Sequence, residues 1–367
     1  MLQCQKCLYS SNVYPQIQLD EQGVCDVCRV YKNLAARTVL SPDKAKDRLN
    51  RFIHNVKAEG EGKPHDCIVG VSGGVDSSYI AYLTKEWGLR PLVLHVDNGW
   101  NSELAVDNIQ RLIQALDFDL YTEVLDWNQM RDLQLASFKS SVLDIDLPFD
   151  NAFMAVLYRL AAKMKIKYII SGHNTLTEGW MPPSFCHYKL DTLNIKAIHK
   201  RYGKVSLRSF PMIGPLGISY YKKIQGIEMV SPLDWMDYNK AEVKTFLQHE
   251  LGWRDYGGKH YENIFTKFYQ GYILPEKFKI DKRISHLSTL ICSGQISKEE
   301  ALLELSKPQY DQDELRKDRL FFFRKMGLTE DEFEAIMNHP PVAHTDFPSY
   351  LNIFKRLSKV KKAIKFW

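Results

Sequence analysis

The sequence predicts an α/β protein: a parallel five-stranded sheet, preceded by a small cysteine-rich metal knot and followed by a mostly helical region. Three observations lead there. Two CxxC pairs open the chain. Short apolar runs alternate with helix-length stretches from about residue 66 to residue 251, the pattern of βαβ units. The first of those runs breaks into SGGVDSS ahead of a helical stretch, a layout that presents backbone N–H groups and a helix N-terminus to phosphate. The expected divisions are residues 1–36, 37–251 and 252–367.

The knot comes first. Cys4 and Cys7, then Cys25 and Cys28, are two knuckles separated by residues 8–24. Two residues between thiolates let both reach one ion, and two knuckles complete a tetrahedral Cys4 site, the usual structural zinc arrangement. A redox dithiol would need one pair, and an iron–sulfur cluster could also use four thiolates. Four protein ligands leave no open position, so the expected Zn2+ is structural. Between the knuckles, YPQIQLD and VCD flank Asp20-Glu21-Gln22-Gly23 as a short hairpin.

The strands follow in order. Residues 66–71 read as a buried strand, and SSYIAYLTKEWG as a helix with Ile80, Leu83 and Trp87 on one face. In the turn between them, Gly73 and Gly74 permit unusual dihedrals and a close approach to an anion. Val71, Ser72, Ser77 and Ser78 surround that approach, and the Asp76 carboxylate orients the loop or helps hold Mg2+ between phosphates. The bland alternative is a Gly-Gly turn with Ser and Asp as helix caps. A second strand spans 91–97, a helix about 102–116, a third strand 120–124, and a helix 152–164. A strand at 167–170 ends in Ser171-Gly172-His173-Asn174, and a last one at 228–230 leads to Asn239, which caps KAEVKTFLQHELG.

At SGGVDSS and SGHN the chain resembles the PP-loop ATP pyrophosphatases, adenine nucleotide alpha hydrolase-like proteins that cleave ATP between its α and β phosphates. The resemblance implies that Val71, Ser72, Gly73, Gly74, Asp76 and Ser77 bind the pyrophosphate portion of ATP. It places His95, Val96 and Asp97 at the nucleoside, and Gly172, His173, Asn174 and Glu178 beside the triphosphate, with Glu178 a Mg2+ contact. A satisfied loop histidine is the alternative for His173.

Beyond residue 251 comes GGKHYENIFTKFYQGYILPEKFKIDKR, rich in aromatic and basic residues. Together with the four cysteines and the PP-loop it resembles the N-acetyl sugar amidotransferase family of bacterial surface polysaccharide pathways. The implied reaction adenylates an acetamido oxygen of a sugar, often nucleotide-linked, so that AMP leaves when ammonia attacks. A separate glutaminase subunit would supply the ammonia. Asp150, Lys259, Glu262 and Lys267 are the substrate-side expectations, with Lys259 steadying charge on the α phosphate and His260 relaying a proton. Helices capped by Ser297 and by Thr329 with Glu332 complete the C-terminal region.

Bulk properties exclude little. The 367 residues carry a net charge of +5, well short of a nucleic-acid footprint. No stretch reaches the ~20 apolar residues of a membrane span, and MLQCQKCLYSSN lacks a signal-peptide core, so a cytoplasmic setting is expected. A homo-oligomer is compatible with all of this. The enzymatic rival is a PP-loop tRNA thiolase, which would need further catalytic cysteines. Of those left, Cys67 and Cys292 read as small core residues and Cys186 as a loop thiol. A nucleotide-sensing module without catalysis is the rival from another class.

Overall fold

The computed structural model describes residues 1–182, 184–258 and 261–364, with side chains through 357. Five strands form the sheet: β1 (Cys67–Gly70), β2 (Pro91–Asp97), β3 (Asp119–Val124), β4 (Tyr168–Ile170) and β5 (Glu228–Val230). All pair parallel in the order β3-β2-β1-β4-β5. The order reverses between β1 and β4, so the crevice beyond their carboxyl ends is a topological switch point, where open α/β sheets bind ligands.

Alternation along the strands builds two faces. Ile68, Leu92, Leu94 and Val96 pack with Met130, Leu133, Ala155 and Leu157 on one face. Cys67, Val69 and Val93 pack with Ile80, Leu83, Ile109, Leu112 and Leu247 on the other. Strands covered on both sides must be almost wholly apolar, and β1 and β2 are. A third cluster joins the knot to the C-terminal region: Cys7, Tyr9, Ile17 and Cys28 share it with Phe265, Phe268, Leu287 and Phe322.

Two expectations are corrected. The helix expected from residue 152 starts at Leu147, five residues early, because Pro148 sits in its first turn, where a fixed φ and a missing N–H are favourable. Asp150 therefore lies inside the first turn and not ahead of the helix. The hairpin between the knuckles narrows to one antiparallel bridge, Leu19 with Cys25, closed by a turn in which Gly23 has φ +72°. The helices Lys298–Ser306 and Glu330–Asn338 carry full capping boxes. Among the described residues no helix is long and apolar enough to cross a membrane.

Candidate functional site

The segment after β1 turns into helix Val75–Glu86 with Gly74 as its N-cap. Gly73 has φ +82°, and a Cβ there would stand 2.6 Å from the Ala105 carbonyl, so only glycine fits. The loop is braced from within and from behind. The Gly74 N–H donates to Ser72 Oγ at 3.3 Å, Ser77 Oγ donates to the Gly74 carbonyl at 3.1 Å, and Trp253 Nε1 donates to the Gly73 carbonyl at 2.9 Å. Asp76 is engaged from the side: Tyr238 donates its hydroxyl to one oxygen, and the Lys240 ammonium lies 3.0 Å from the other.

The turn after β4 abuts this loop. A Cβ on Gly172 would fall 2.6 Å from the Asp76 carbonyl and 2.9 Å from the Ser77 nitrogen. The two turns thus touch backbone to backbone across the switch point. His173 bonds through Nδ1 to the Glu178 carboxylate, which brings two predicted site residues together. Asn174 is turned inward as the N-cap of the short helix Thr175–Glu178, accepting from the Thr177 N–H at 2.9 Å.

At the end of β2 the three predicted nucleoside residues part company. His95 and Asp97 line a cavity of about 580 Å³ with Asn101, Gln110, Gln114 and Thr122, whereas Val96 turns to the opposite core. His95 Nδ1 lies 3.2 Å from the Val71 carbonyl and Nε2 lies 3.1 Å from Asn101 Nδ2. The carbonyl requires a proton on Nδ1, so Nε2 accepts from the amide. Burial lowers the pKa of this ring and favours that neutral form.

Substrate-side expectations divide. Lys259 and His260 lie outside the described residues. Glu262 is at the loop's side of the molecule: its carbonyl accepts from the Ser102 N–H at 2.9 Å. Tyr256, whose hydroxyl lies over Gly74, is pushed up by burial and by the charges of Glu262 and Asp76. Lys267 is engaged by Glu314 at 2.9 Å and Asp318 at 3.1 Å, over the rings of Tyr261 and Tyr310. Burial opposes its charge, but those carboxylates carry its pKa upward. Asp150 pairs with Lys189 at 2.7 Å, and Lys189 also meets the buried Asp144 at 2.6 Å.

Sequence reasoning missed Lys189, Tyr238, Lys240 and Tyr256. Each meets its partner only after folding, and no local pattern announces it. It also missed Lys325, which donates to the Gly99 carbonyl and lies over Trp100 and Trp127.

Beside this cluster Asp146 is buried, accepts from the Thr266 hydroxyl at 2.6 Å, and leaves its other oxygen without a partner. Burial first, then the charge of Asp150, raises its pKa to about 7. A carboxyl raised on folding adds stability below its unfolded pKa, ~3.9, and loses it as pH rises through the folded value. Asp146→Asn is therefore expected to gain on the wild type as pH rises from 4 to 8, by a few kcal/mol, ~4 at most. Urea midpoints of both proteins across that range test this, and a constant difference would refute it. The buried His187, lowered to about 4 by burial, titrates with the opposite sign but is common to both proteins.

The four knot cysteines are buried, and their sulfurs all lie within 4.8 Å of one another. Cys4 and Cys28 sulfurs are 3.9 Å apart, those of Cys7 and Cys25 3.6 Å. One ion with metal–sulfur bonds of about 2.3 Å has tetrahedral edges of about 3.8 Å, so the donor set fits a single metal ion. The Cys4 sulfur accepts from the N–H groups of Cys7 (3.5 Å) and Cys25 (3.3 Å), and the Cys25 sulfur from that of Cys28 (3.5 Å). Outside the knot, Cys67 lies in the core as expected, whereas Cys292 does not behave as a plain core residue: its sulfur is 3.5 Å from that of Cys28.

Sheet order, glycine turn and switch point together define a parallel α/β protein with a strand–glycine-turn–helix at the carboxyl end of its central strand. Within that class the chain carries, over residues 262–361, a match to the family described as LPS biosynthesis protein WbpG-like, C-terminal domain. An uncharacterized protein of Methanocaldococcus jannaschii, MJ1599, is 24% identical over 320 residues, which cover 84% of this chain and 94% of that one. Among solved structures, NMN synthetase from Francisella tularensis is 17% identical, covering 59% of this chain and 89% of that chain, with a TM-score of 0.30. The U34-tRNA thiolase NcsA from Methanococcus maripaludis, solved with its [4Fe-4S] cluster, is 15% identical, covering 84% and 90%, with a TM-score of 0.33.

Proposed function

We propose that this chain is an ATP-dependent amidotransferase that adenylates the acetamido oxygen of a nucleotide-linked N-acetyl sugar and replaces that oxygen with nitrogen from ammonia. The observation that carries the reading is the meeting of two glycine turns at the switch point, Gly73-Gly74 with Gly172, beside a domain of the WbpG-like family. The backbone N–H groups at the start of helix Val75–Glu86 would hold the pyrophosphate portion of ATP. Asp76, set by Tyr238 and Lys240, and Glu178 would face its Mg2+. The cavity lined by His95 and Asp97 would take the nucleoside.

An amide oxygen is a poor leaving group, and adenylation turns it into AMP. Ammonia then attacks the carbon, giving an acetamidino sugar, AMP and pyrophosphate. A partner glutaminase would deliver the ammonia, and Zn2+ in the knot would be structural. A thiolase reading asks for a reactive thiol near the loop, whereas burial pushes up both Cys67 and Cys186, which disfavours the thiolate.

Mass spectrometry of products from ATP, Mg2+, ammonium and a panel of UDP-linked acetamido sugars tests the proposal. The expected result is AMP, pyrophosphate and a sugar lighter by about one mass unit, since NH replaces O. AMP formation that depends on sulfur and tRNA, with every sugar unchanged, would replace it with the thiolase.

A further inference from the structure

Four thiols close the knot, and a fifth sulfur reaches it from the C-terminal region of the chain. Cys292 lies near the end of helix Lys282–Ser293, within the WbpG-like segment, and its thiol is directed at Cys28 Sγ over 3.5 Å. The N–H···S bonds of the knot go to sulfurs other than that of Cys28. Backbone donors within the knuckles serve the sulfurs of Cys4 and Cys25. Among the described residues, the donor given to Cys28 Sγ from outside the four is Cys292.

The same helix is bonded to the knot elsewhere. Ser288 Oγ accepts from the Leu8 N–H at 3.2 Å, and Ser285 Oγ lies 2.5 Å from the Tyr9 hydroxyl. Just beyond it, Lys298 donates to the carbonyls of Cys4 (2.9 Å) and Gln5 (3.2 Å). Leu8 and Tyr9 directly follow the ligand Cys7, so a bound ion that orders the first knuckle also orders the groups this helix grips.

We propose that Cys292 is a positioning thiol of the metal centre, donating an S–H···S bond to the metal-bound Cys28 thiolate, so that metal loading fixes the seating of helix Lys282–Ser293 against the knot. The inference rests on the metal reading of the knot, which wild-type metal content tests by itself. Outer partners of metal ligands change affinity by roughly 10–100-fold when removed, and a donor to a thiolate lowers the energy of its lone pairs. Both consequences can be read without turnover.

The experiment uses the full chain loaded with Co2+. Cys292→Ala is expected to keep one metal per chain, to shift the thiolate-to-cobalt charge-transfer band to lower energy, and to release metal to a chelator on the order of tenfold faster. Cys292→Ser, which restores a donor, is expected to return the band toward the wild-type position. Hydrogen exchange in helix Lys282–Ser293 should quicken when metal is stripped from the wild type. An unchanged band and release rate in Cys292→Ala would overturn the proposal, as would loss of the metal altogether, which would make Cys292 a ligand. A wild type that binds no metal overturns the metal reading itself, whereas a product assay that fails leaves these spectra unaffected.

Discussion

Gly172→Ala is expected to lower ATP-dependent pyrophosphate release by at least about 100-fold, equivalent to ~2.7 kcal/mol of transition-state stabilisation. The reason is steric and local. The new methyl carbon would stand 2.6 Å from the Asp76 carbonyl, and backbone cannot swing aside as a long side chain can. The start of helix Val75–Glu86 must move, carrying with it the N–H groups proposed to face the phosphates. Loss of one well-placed donor typically costs 100- to 1000-fold. Steady-state pyrophosphate release, with thermal melting measured alongside, checks this. A rate within threefold of the wild type would show that the two turns do not share one anion site. Gly73→Ala tests the same loop from its other side, where φ of +82° and the Ala105 carbonyl both oppose a side chain.

The second large effect is on stability. Cys25→Ser is expected to abolish metal uptake and to lower Tm by roughly 5–10 °C. Cys25 also accepts from the Cys28 N–H as the N-cap of helix Asp26–Thr38, a bond that serine can make in its place, so the loss reports on the metal ligand. The consequences reach further than the knot, because Tyr9, Ile17 and Cys28 share one apolar cluster with Phe265, Phe268 and Leu287. Cys186→Ser, a substitution outside the four, should retain the metal. Metal content and melting of both variants decide the matter: a Cys25→Ser protein with full metal and an unchanged Tm would remove the knot's proposed role.

Much of this architecture was legible before folding. The apolar run before SGGVDSS could bury both faces only as a central strand, and it is β1, paired on either side by β2 and β4. Pro91–Asp97 and Glu228–Val230 are strands over the expected residues. Helix Trp127–Lys139 was not legible. It buries Gln129, Asp132 and Gln134 along with Met130, Leu133 and Phe138, which blurs its apolar period. Distant partners meet those polar groups: Ser209 bonds Gln129, His199 bonds Asp132, and the Trp100 indole donates to Gln134 Oε1.

The sequence by itself determined the strand–turn–helix of the phosphate loop, the cysteine knuckles and the capped C-terminal helices, because each depends on residues within a few positions of one another. Tertiary structure alone decided what those parts meet. Gly172 touches Asp76, Lys240 reaches Asp76, and Cys292 reaches Cys28, over separations that no local periodicity encodes. Such contacts are set by strand order and by helix packing, which bring chemically ordinary residues to one place.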